Sequence, residues 1–305
     1  MAELSTAPFL GTLRVHSVLY GNEPSRIDQA IAHLERAADI AIAGGVFSEI
    51  SLVYGDCSPT SELEPAVVAY ARPGSALHGV EYRYFDANLG SAQGHNRLLE
   101  DLVDDYVLIM NPDIMMAPNA LVELAKSFVD ARAGMVEAKQ LPIEHPKEYD
   151  LVSGETSWAA TACTMIPTSL IRELGGFDHE TFFLYCDDVD FSWRVRLAGK
   201  KVIYRPSAAA FHDKRLGAKG KWVAGAAEKY YSAEAALMLA YKYHREDIVA
   251  DVLKYFRITN DETLLAAAKQ FETRRETGKL PMQIDPSHKV AVFQDGAYAP
   301  HRFVM

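Results

Sequence analysis

Two acidic clusters contain the residue types of this chain that are best suited to chemistry. The first is Asn111-Pro112-Asp113, which directly follows the apolar run 106–110. The second consists of three closely spaced carboxylates: Asp187, Asp188 and Asp190. A carboxylate at the end of a buried strand can ligate a divalent cation, and a carboxylate at a helix start can act as a general base. This pairing suits an enzyme that moves a group off a metal-bound diphosphate.

Each cluster also has a purely structural explanation. An Asn-Pro-Asp sequence suits a β-turn, and acidic residues are favoured in the first turn of a helix. Helix capping accounts for one or two of the three carboxylates, but not for the apolar segment before them, Phe182-Phe183-Leu184-Tyr185. Close carboxylates also repel one another, which tends to raise at least one pKa. The patterns alone leave both explanations open.

Two other predicted strand ends carry polar residues. Asp56 follows the predicted strand 49–54, where it either accepts hydrogen bonds from a nucleoside or forms an Asx-turn with Ser58. Asn88 and Gly90 begin a strand-to-helix loop of the kind that lets backbone approach a phosphate. No Gly-Lys-Ser/Thr sequence follows, so this loop is not a P-loop.

A histidine and a basic loop form the last candidate group. His212 ends the apolar run 208–211. Imidazole is a good ligand for Mn²⁺, whereas Mg²⁺ prefers oxygen, but a lone histidine is more often structural. The loop after it contains four cations: Lys214, Arg215, Lys219 and Lys221. Such a loop either closes over a diphosphate leaving group or is simply solvated.

The elements that must position these residues follow an alternating pattern in the first half of the chain. Strands are predicted at 13–20, 49–54, 80–85 and 106–110. Apolar residues recur at helical spacing between Ile27 and Ala41, and a strand–helix–strand unit implies a parallel sheet. Such α/β sheets bind ligands beyond the C-terminal ends of their strands, which is where Asp56, Asn88 and Asp113 lie.

The second half is mixed in character. Short strands are predicted at 135–139, 158–166 and 201–205, and a helix at 190–198. The tail from 228 to 256 is rich in Ala, Leu and Tyr, which predicts helices. Residues 274–305 show no clear period.

Composition excludes several classes of protein. The 305 residues are 49% hydrophobic and 24% charged, so the chain can bury a sizeable core. A net charge of −10 argues against a general nucleic-acid binder. The three scattered cysteines form neither a zinc motif nor a disulfide framework, which fits a reducing cytoplasm. The N-terminus lacks signal-peptide features and no run reaches ~18 apolar residues; peripheral contact with the inner face of the cell membrane stays open.

Five segments together resemble the family-two glycosyltransferases, especially the rhamnosyltransferase-like branch. They are Asp56-Cys57-Ser58, Asn88–Asn96, Val107–Asp113, Gly175–Arg194 and Pro206–His212. The second is similar to the family's NLG-x-x-x-G-x-N, the third to VLLLNPD and the fourth to GGFDExFFxYxEDVDLxxR. The resemblance covers roughly residues 13–215, and the order and spacing of the motifs make it specific.

This resemblance implies a GT-A fold and inverting transfer of a sugar from a nucleotide sugar, with Mg²⁺ or Mn²⁺ as cofactor. Asp113 and His212 are then metal ligands, and Asp188 is the catalytic base that deprotonates an acceptor hydroxyl. The nucleotide sugar is contacted by Asp56, Asn88, Gly90, Asn111, Lys214 and Arg215. Residues that bind the acceptor or support the site are Asp187, Asp190, Trp158 and Arg194.

The resemblance also implies partners and domains. The donor is expected to be deoxythymidine-diphospho-rhamnose or a uridine-diphospho sugar, and the acceptor a glycan or a lipid-linked glycan. We expect a catalytic domain over 1–225, with a nucleotide-binding part at about 10–130 and an acceptor-binding part at about 131–225. A helical extension is expected over 226–305.

The chain departs from the family pattern at three places. Cys57 replaces the usual Asn, which puts the nucleoside contacts in doubt. Asp187 replaces the usual Glu and has a shorter reach, so its role beside Asp188 is open. The first strand ends in VLYGNEPSRI rather than the common form, so the base-recognition pocket does not transfer directly.

Two other classes of function compete with this interpretation. A sugar nucleotidyltransferase should carry a Gly-rich loop with Arg and Lys after its first strand, whereas this chain has Gly21-Asn22-Glu23-Pro24. A non-catalytic nucleotide-sugar-binding protein would not need Asp113, Asp188 and His212 together. Both remain alternatives to the glycosyltransferase.

Overall fold

The computed structural model describes residues 7–143, 147–212 and 225–299, and its first half alternates strands with helices. The elements up to the first acidic cluster are β1 (Thr12–Leu19), α1 (Pro24–Ala43), β2 (Glu49–Asp56), α2 (Glu64–Val68), β3 (Gly79–Tyr84), α3 (Gly90–Leu99) and β4 (Tyr106–Met110). The four strands expected from the sequence are present, each within a residue or two of its predicted bounds.

The second half is richer in elements than the sequence predicted. It contains β5 (Ile114–Met116), α4 (Ala120–Ala125), a short 3-10 helix (Lys126–Val129), β6 (Ala133–Leu141), β7 (Cys163–Pro167), α5 (Thr168–Glu173), α6 (Asp187–Leu197) and β8 (Lys201–His212). Three helices follow: α7 (Ala226–Lys242), α8 (Glu246–Thr259) and α9 (Glu262–Glu276). No helix in the described part of the chain is long and apolar enough to cross a membrane.

One sheet joins all the strands named above. Its order is β3-β2-β1-β4-β7-β6-β8-β5. The pairs β3–β2, β2–β1, β1–β4 and β6–β8 are parallel, and β7 and β5 pair with their neighbours antiparallel. The parallel part gathers the C-terminal ends of β1, β2 and β4 at one edge, where α/β sheets bind ligands.

Strand β8 is longer than the predicted strand 201–205. It pairs with β6 as far as Leu141↔Phe211, past an irregularity at Ala138/Lys139, and its end pairs with β5 at Ile114↔His212. The Pro206 and small-residue segment gave no strand signal because proline and alanine are weak strand formers. The β5 pairing places His212 beside the residue that follows Asp113.

Side chains of the sheet pack on both of its faces. Leu108 and Met110 join the cluster of α1 and α4, whereas Val107 and Ile109 join that of α5 and α6. This alternation is the period of two that a strand buried on both faces requires. A further cluster joins α6 residues such as Trp193 to α7, α8 and α9. The C-terminal helices therefore share a core with the helix that carries the second acidic cluster.

A buried histidine in β1 makes stability depend on pH. His16 is fully buried, and neither ring nitrogen has a hydrogen-bond partner among the described residues. Burial lowers the pKa of His16 well below 6.5, and His95, Arg14 and Arg83 act in the same direction. Below pH 6.5 this histidine is protonated in the unfolded chain but stays neutral in the folded protein. The free energy of unfolding therefore falls as the pH drops. We expect this ring alone to lower the free energy of unfolding by about 2 kcal/mol between pH 7 and pH 5.

The substitution His16→Leu tests that expectation, because leucine cannot titrate. Urea unfolding at pH 7 and pH 5 should show a smaller difference for this variant than for the parent chain. His78→Leu is the matched control, since the side chain of His78 is 68% exposed. If His16→Leu and His78→Leu keep the same pH difference as the parent, burial of His16 does not control it.

Candidate active site

The first acidic cluster and His212 meet at the C-terminal end of β4. The backbone N–H of Asn111 donates to Ala162 O at 2.9 Å, and a turn returns Ile114 N to Asn111 O at 3.2 Å. This turn presents Asp113, whose Oδ1 lies 3.3 Å from His212 Nε2. Burial acts to raise the pKa of Asp113, but the contact with His212, a backbone hydrogen bond and the charge of Arg26 together shift it downward. The sequence-predicted pair of metal ligands is therefore brought together.

Gln140 of β6 fixes the orientation of the His212 ring. His212 Nδ1 lies 2.8 Å from Gln140 Oε1, and Gln140 Nε2 donates to Glu137 Oε1 at 3.4 Å. A carboxylate only accepts, so Glu137 requires the amide NH₂ on its own side and leaves the amide oxygen for the imidazole. His212 Nδ1 is then the protonated nitrogen. Sequence reasoning missed Gln140 and Glu137, because neither lies in a recognised motif.

The His212 tautomer leaves two acceptors facing each other. With a neutral ring, Nε2 carries a lone pair, and it stands opposite the carboxylate oxygen of Asp113. Two acceptors at this separation are stable only with a proton or a cation between them. A metal-bound histidine commonly donates its other ring N–H to an outer partner, as His212 does to Gln140. The two side chains thus fit a divalent cation, although the described residues offer no group of three His, Cys, Asp or Glu ligands.

The second acidic cluster begins α6 after a strained turn. Tyr185 and Cys186 adopt φ values of 66° and 58°, in the left-handed region that side chains disfavour. Asp187 and Asp188 are the first two residues of α6 directly after this turn. Such strain persists only where the surrounding structure enforces it, and it concentrates at functional sites.

Asp187 and Asp188 differ sharply in environment. Asp187 is 3% exposed, and its Oδ2 has no hydrogen-bond partner among the described residues. Burial and the neighbouring charge of Asp188 raise the pKa of Asp187 to about 7, against a hydrogen bond from Ser91. Asp188 is only half-buried, and its Oδ1 accepts from Val189 N at 2.8 Å. Asp188, the more exposed member of the pair, is the one that a substrate can reach.

The Asn88–Asn96 segment, which forms the first turns of α3 from Gly90 onward, supports this acidic segment. Gly90 has φ +69°, and a Cβ on it would lie 2.3 Å from the carbonyl oxygen of Phe183. The next residue, Ser91, donates its N–H to that oxygen at 3.1 Å. Glycine is needed here because backbone must approach backbone. Asn88 is exposed, and its Oδ1 accepts from Gly90 N at 3.3 Å.

Asp56 lies fully buried at the end of β2 with both oxygens in use. Tyr82 Oη donates to Oδ2 at 2.6 Å, and Ser58 N donates to Oδ1 at 2.7 Å. The second contact is the Asx-turn that the sequence offered as the structural alternative. Burial and the bond to Asp56 raise the pKa of Tyr82. Tyr82 was not singled out in the sequence, since an aromatic residue in a strand carries no functional signal of its own.

Asp190 and Arg194 pair within α6 and hold it in place. Arg194 Nε donates to Asp190 Oδ2 at 2.8 Å, and Lys242 Nζ lies 2.6 Å from Asp190 Oδ1. Arg194 also donates to the carbonyl oxygens of Leu174 and Gly176 at 2.8 Å each. Asp190 is 0% exposed and has two cationic partners, so removing Asp190 would leave the Arg194 guanidinium without its carboxylate, which is destabilising. These contacts fit the supporting role predicted for both residues.

Trp158 is buried below a lysine. Lys147 Nζ lies 4.0 Å from the centre of the indole ring and forms a buried ion pair with Glu137. The charge of Asp188 acts on Glu137 as well. Glu137 thus stands between the His212–Gln140 contact, Lys147 and the second acidic cluster. Lys214 and Arg215, predicted to contact the nucleotide sugar, lie outside the described residues.

Comparison with known proteins identifies the fold of this chain. No family model matches the chain. Among solved structures, a mannosyltransferase from Pyrobaculum calidifontis in complex with GDP-Man and Mn²⁺ superposes with a TM-score of 0.56 at 18% identity, over 87% of this chain and 75% of that one. The chain therefore has the GT-A fold expected from its sequence, with a mostly parallel sheet and a helical C-terminal region.

Curated relatives sharpen the resemblance within that fold. An N-acetylglucosaminyl-diphospho-decaprenol L-rhamnosyltransferase from Mycobacterium tuberculosis is 29% identical over 42% of this chain and 57% of the relative. Rhamnosyltransferase WbbL from Escherichia coli is 28% identical over 36% of this chain and 52% of the relative. The chain spans about half the length of the curated relatives it matches. They confirm the predicted resemblance to rhamnosyltransferase-like glycosyltransferases of family two.

Proposed function

We propose that this chain is an inverting, metal-dependent glycosyltransferase. It moves a sugar from a nucleotide sugar to a hydroxyl of a glycan or lipid-linked glycan acceptor. The observation that carries the proposal is the pair formed by Asp113 Oδ1 and His212 Nε2, two acceptors 3.3 Å apart. A pair so arranged at the ligand edge of the sheet is suited to holding a cation between its members.

Mg²⁺ or Mn²⁺ would be held by Asp113 and His212 together with the diphosphate of the donor. Mn²⁺ suits this mixed set of carboxylate and imidazole better than Mg²⁺ does, and the Pyrobaculum mannosyltransferase was solved with Mn²⁺. When bound, the ion neutralises charge on the departing diphosphate. Gln140 and Glu137 keep the His212 ring turned so that Nε2 faces Asp113.

Proton transfer is assigned to Asp188. Its half-buried carboxylate accepts the proton of the acceptor hydroxyl, whose oxygen attacks the anomeric carbon from the face opposite the leaving group. One displacement of this kind inverts the anomeric configuration. Asp187 is held by Ser91 and lies buried behind Asp188. It positions the base and changes the electrostatic potential at its carboxylate, and it does not contact the acceptor.

The remaining predicted residues hold the donor. Asp56 lies at the end of β2, where with Tyr82 it forms the floor for a nucleoside. Asn88, Gly90 and Asn111 line the ends of neighbouring elements at the same edge. Lys214 and Arg215 are proposed to neutralise the diphosphate.

The donor and the acceptor are proposed from the relatives. Two of them are named rhamnosyltransferases, and one name specifies a diphospho-decaprenol acceptor. The proposed donor is therefore deoxythymidine-diphospho-rhamnose, with uridine-diphospho sugars second. A lipid-linked acceptor would place the chain in the cytoplasm at the inner face of the cell membrane.

Calorimetric titration tests the site before any acceptor is known. Deoxythymidine and uridine diphosphates should bind at least about tenfold more tightly with Mn²⁺ than without it. Asp113→Asn should abolish that difference, because it removes one of the two protein ligands. Asp39→Asn, an exposed change in α1, is the matched control. Binding that is indifferent to Mn²⁺ would refute the metal role of Asp113.

A further inference from the structure

Lys147 is buried although it carries a charge. Its side chain and that of Glu137 are each 2% exposed, and the two form an ion pair. The ammonium nitrogen lies 4.0 Å from the centre of the Trp158 ring and 5.8 Å from the centre of the Tyr204 ring. Both aromatic side chains are themselves buried, and lysine is almost never fully buried unless it is paired. Two rings and one carboxylate therefore hold the ammonium in one place.

Stability alone does not account for this buried pair. Two charges lose their hydration on burial, and this loss can exceed the attraction that they gain. Replacing such a pair with apolar residues of similar volume is often neutral or stabilising. A buried ion pair can instead serve to fix the arrangement of the polar groups around it, and here those groups include the partner of the candidate metal ligand His212.

The His212 ring can carry its proton on either nitrogen, and its two neighbours favour different ones. The Asp113 carboxylate, 3.3 Å from Nε2, favours a proton on Nε2 because a carboxylate only accepts. The Gln140 amide, 2.8 Å from Nδ1, favours a proton on Nδ1 as long as the amide oxygen faces the ring. Imidazole binds a metal through the nitrogen that carries no proton. The direction of the Gln140 amide therefore decides whether Nε2 can bind a cation.

Ionised Glu137 sets that direction, and Lys147 favours its ionised form. Gln140 Nε2 donates to Glu137 Oε1 at 3.4 Å, while Lys147 Nζ donates to Oε2. Burial raises the pKa of Glu137, as does the charge of Asp188, whereas Lys147 and the backbone of Ala160 lower it. Without the ammonium, the buried carboxyl would take up a proton and become a donor itself. A protonated Glu137 no longer requires the NH₂ group of Gln140 on its side.

We propose that Lys147 is a positioning residue of the metal site. It acts through Glu137 and Gln140, and its effect is to hold the His212 proton on Nδ1. Nε2 then stays free to bind a cation beside Asp113. This inference rests on the proposed glycosyltransferase function, since it assigns a residue that prepares the metal site of the same enzyme.

Neutral replacements of Lys147 test the proposal. Lys147→Met and Lys147→Gln remove the charge, and both should fold because Glu137 can take up a proton instead of remaining an unpaired buried charge. Lys147→Arg keeps the charge and is the conservative variant. Lys126→Met is the matched control, because Lys126 forms a partly buried ion pair with Glu123 outside the candidate site.

Two measurements are made on each protein. Nitrogen-15 NMR of histidine-labelled protein without metal shows which ring nitrogen of His212 carries the proton, and His212→Gln identifies the signal. The spectra are recorded at about pH 7.5, where an ordinary imidazole is mostly neutral. Electron paramagnetic resonance then measures Mn²⁺ affinity with nucleoside diphosphate present.

The charge of Lys147 should decide both results. The parent, Lys147→Arg and Lys126→Met should carry the His212 proton on Nδ1. Lys147→Met and Lys147→Gln should carry it on Nε2, where it is donated to Asp113, and should bind Mn²⁺ at least about tenfold more weakly.

Three outcomes would overturn the assignment of Lys147. They are a parent protein with the His212 proton on Nε2, a folded neutral variant that keeps the parent tautomer or the parent Mn²⁺ affinity, and unfolding of both neutral variants while Lys147→Arg folds. The last would make the role of Lys147 purely structural. A parent that does not bind Mn²⁺ at all contradicts the proposed function instead, whatever the NMR result.

Discussion

Replacing Asp188 with asparagine is expected to lower the turnover number of sugar transfer by about 10²–10⁴-fold. Asparagine keeps the size and the oxygen that accepts from Val189 N, so α6 should still begin at the same place. What it loses is the ability to take the proton of the acceptor hydroxyl. Nucleotide affinity, measured by titration with Mn²⁺, should stay unchanged because the base does not hold the donor.

Asp187→Asn is the natural companion to that substitution. Asp187 is buried, and burial together with the charge of Asp188 raises its pKa, so an uncharged amide is a mild replacement. Its loss of turnover should be smaller than that of Asp188→Asn, with a change in the pH profile of turnover as the distinguishing sign. If Asp187→Asn lowers the turnover number more than Asp188→Asn does, the catalytic base is Asp187 and not Asp188.

Gln140→Leu is expected to weaken Mn²⁺ binding by about 10–100-fold, the range seen when an outer partner of a metal-bound histidine is removed. Leucine has a similar size but cannot accept the His212 Nδ1 proton. The ring then lacks the contact that keeps Nε2 directed at Asp113. Electron paramagnetic resonance of free and bound Mn²⁺, with nucleoside diphosphate present, measures the affinity directly and needs no acceptor.

A matched control for that experiment comes from the C-terminal part of the chain. Gln283 Nε2 donates to Tyr241 O at 3.0 Å, so Gln283→Leu makes the same replacement and removes an amide hydrogen bond outside the site, although Gln283 is half-buried and Gln140 is buried. Glu137→Gln is a second test of the same contact. Without the carboxylate, the Gln140 amide is free to rotate and present its NH₂ group instead of its oxygen to His212. Mn²⁺ affinity equal to that of the parent in Gln140→Leu would show that the His212 ring is held by other means.

The parallel half of the sheet was predictable because its signal is local. Strands such as Tyr106–Met110 are almost wholly apolar, and the helix between β1 and β2 repeats apolar residues at helical spacing. The second half was harder to predict. Helix α5 has six residues and β5 has three. Segments this short do not show a clear period of apolar residues.

The residues of the candidate site also divide into those that the sequence identified and those that it did not. Asp113, Asp188 and His212 stand in motifs that a single sequence displays in order. Tyr82, Gln140 and Glu137 do not, because their importance comes from partners far along the chain. Gln140 and His212 are 72 residues apart and meet only because β6 and β8 are neighbours in the sheet.

The sequence by itself determined the class of fold, the order of the motifs and the identity of the carboxylates and the histidine that form the proposed site. Tertiary structure alone decided how Asp187 and Asp188, two identical neighbours, differ: one is buried beneath the start of α3 and the other half-exposed. It also decided the tautomer of His212, through Gln140, and the buried ion pair of Lys147. The physical reason is that residue type and spacing are local properties. Desolvation, hydrogen-bond partners and buried ion pairs depend instead on which distant elements pack together.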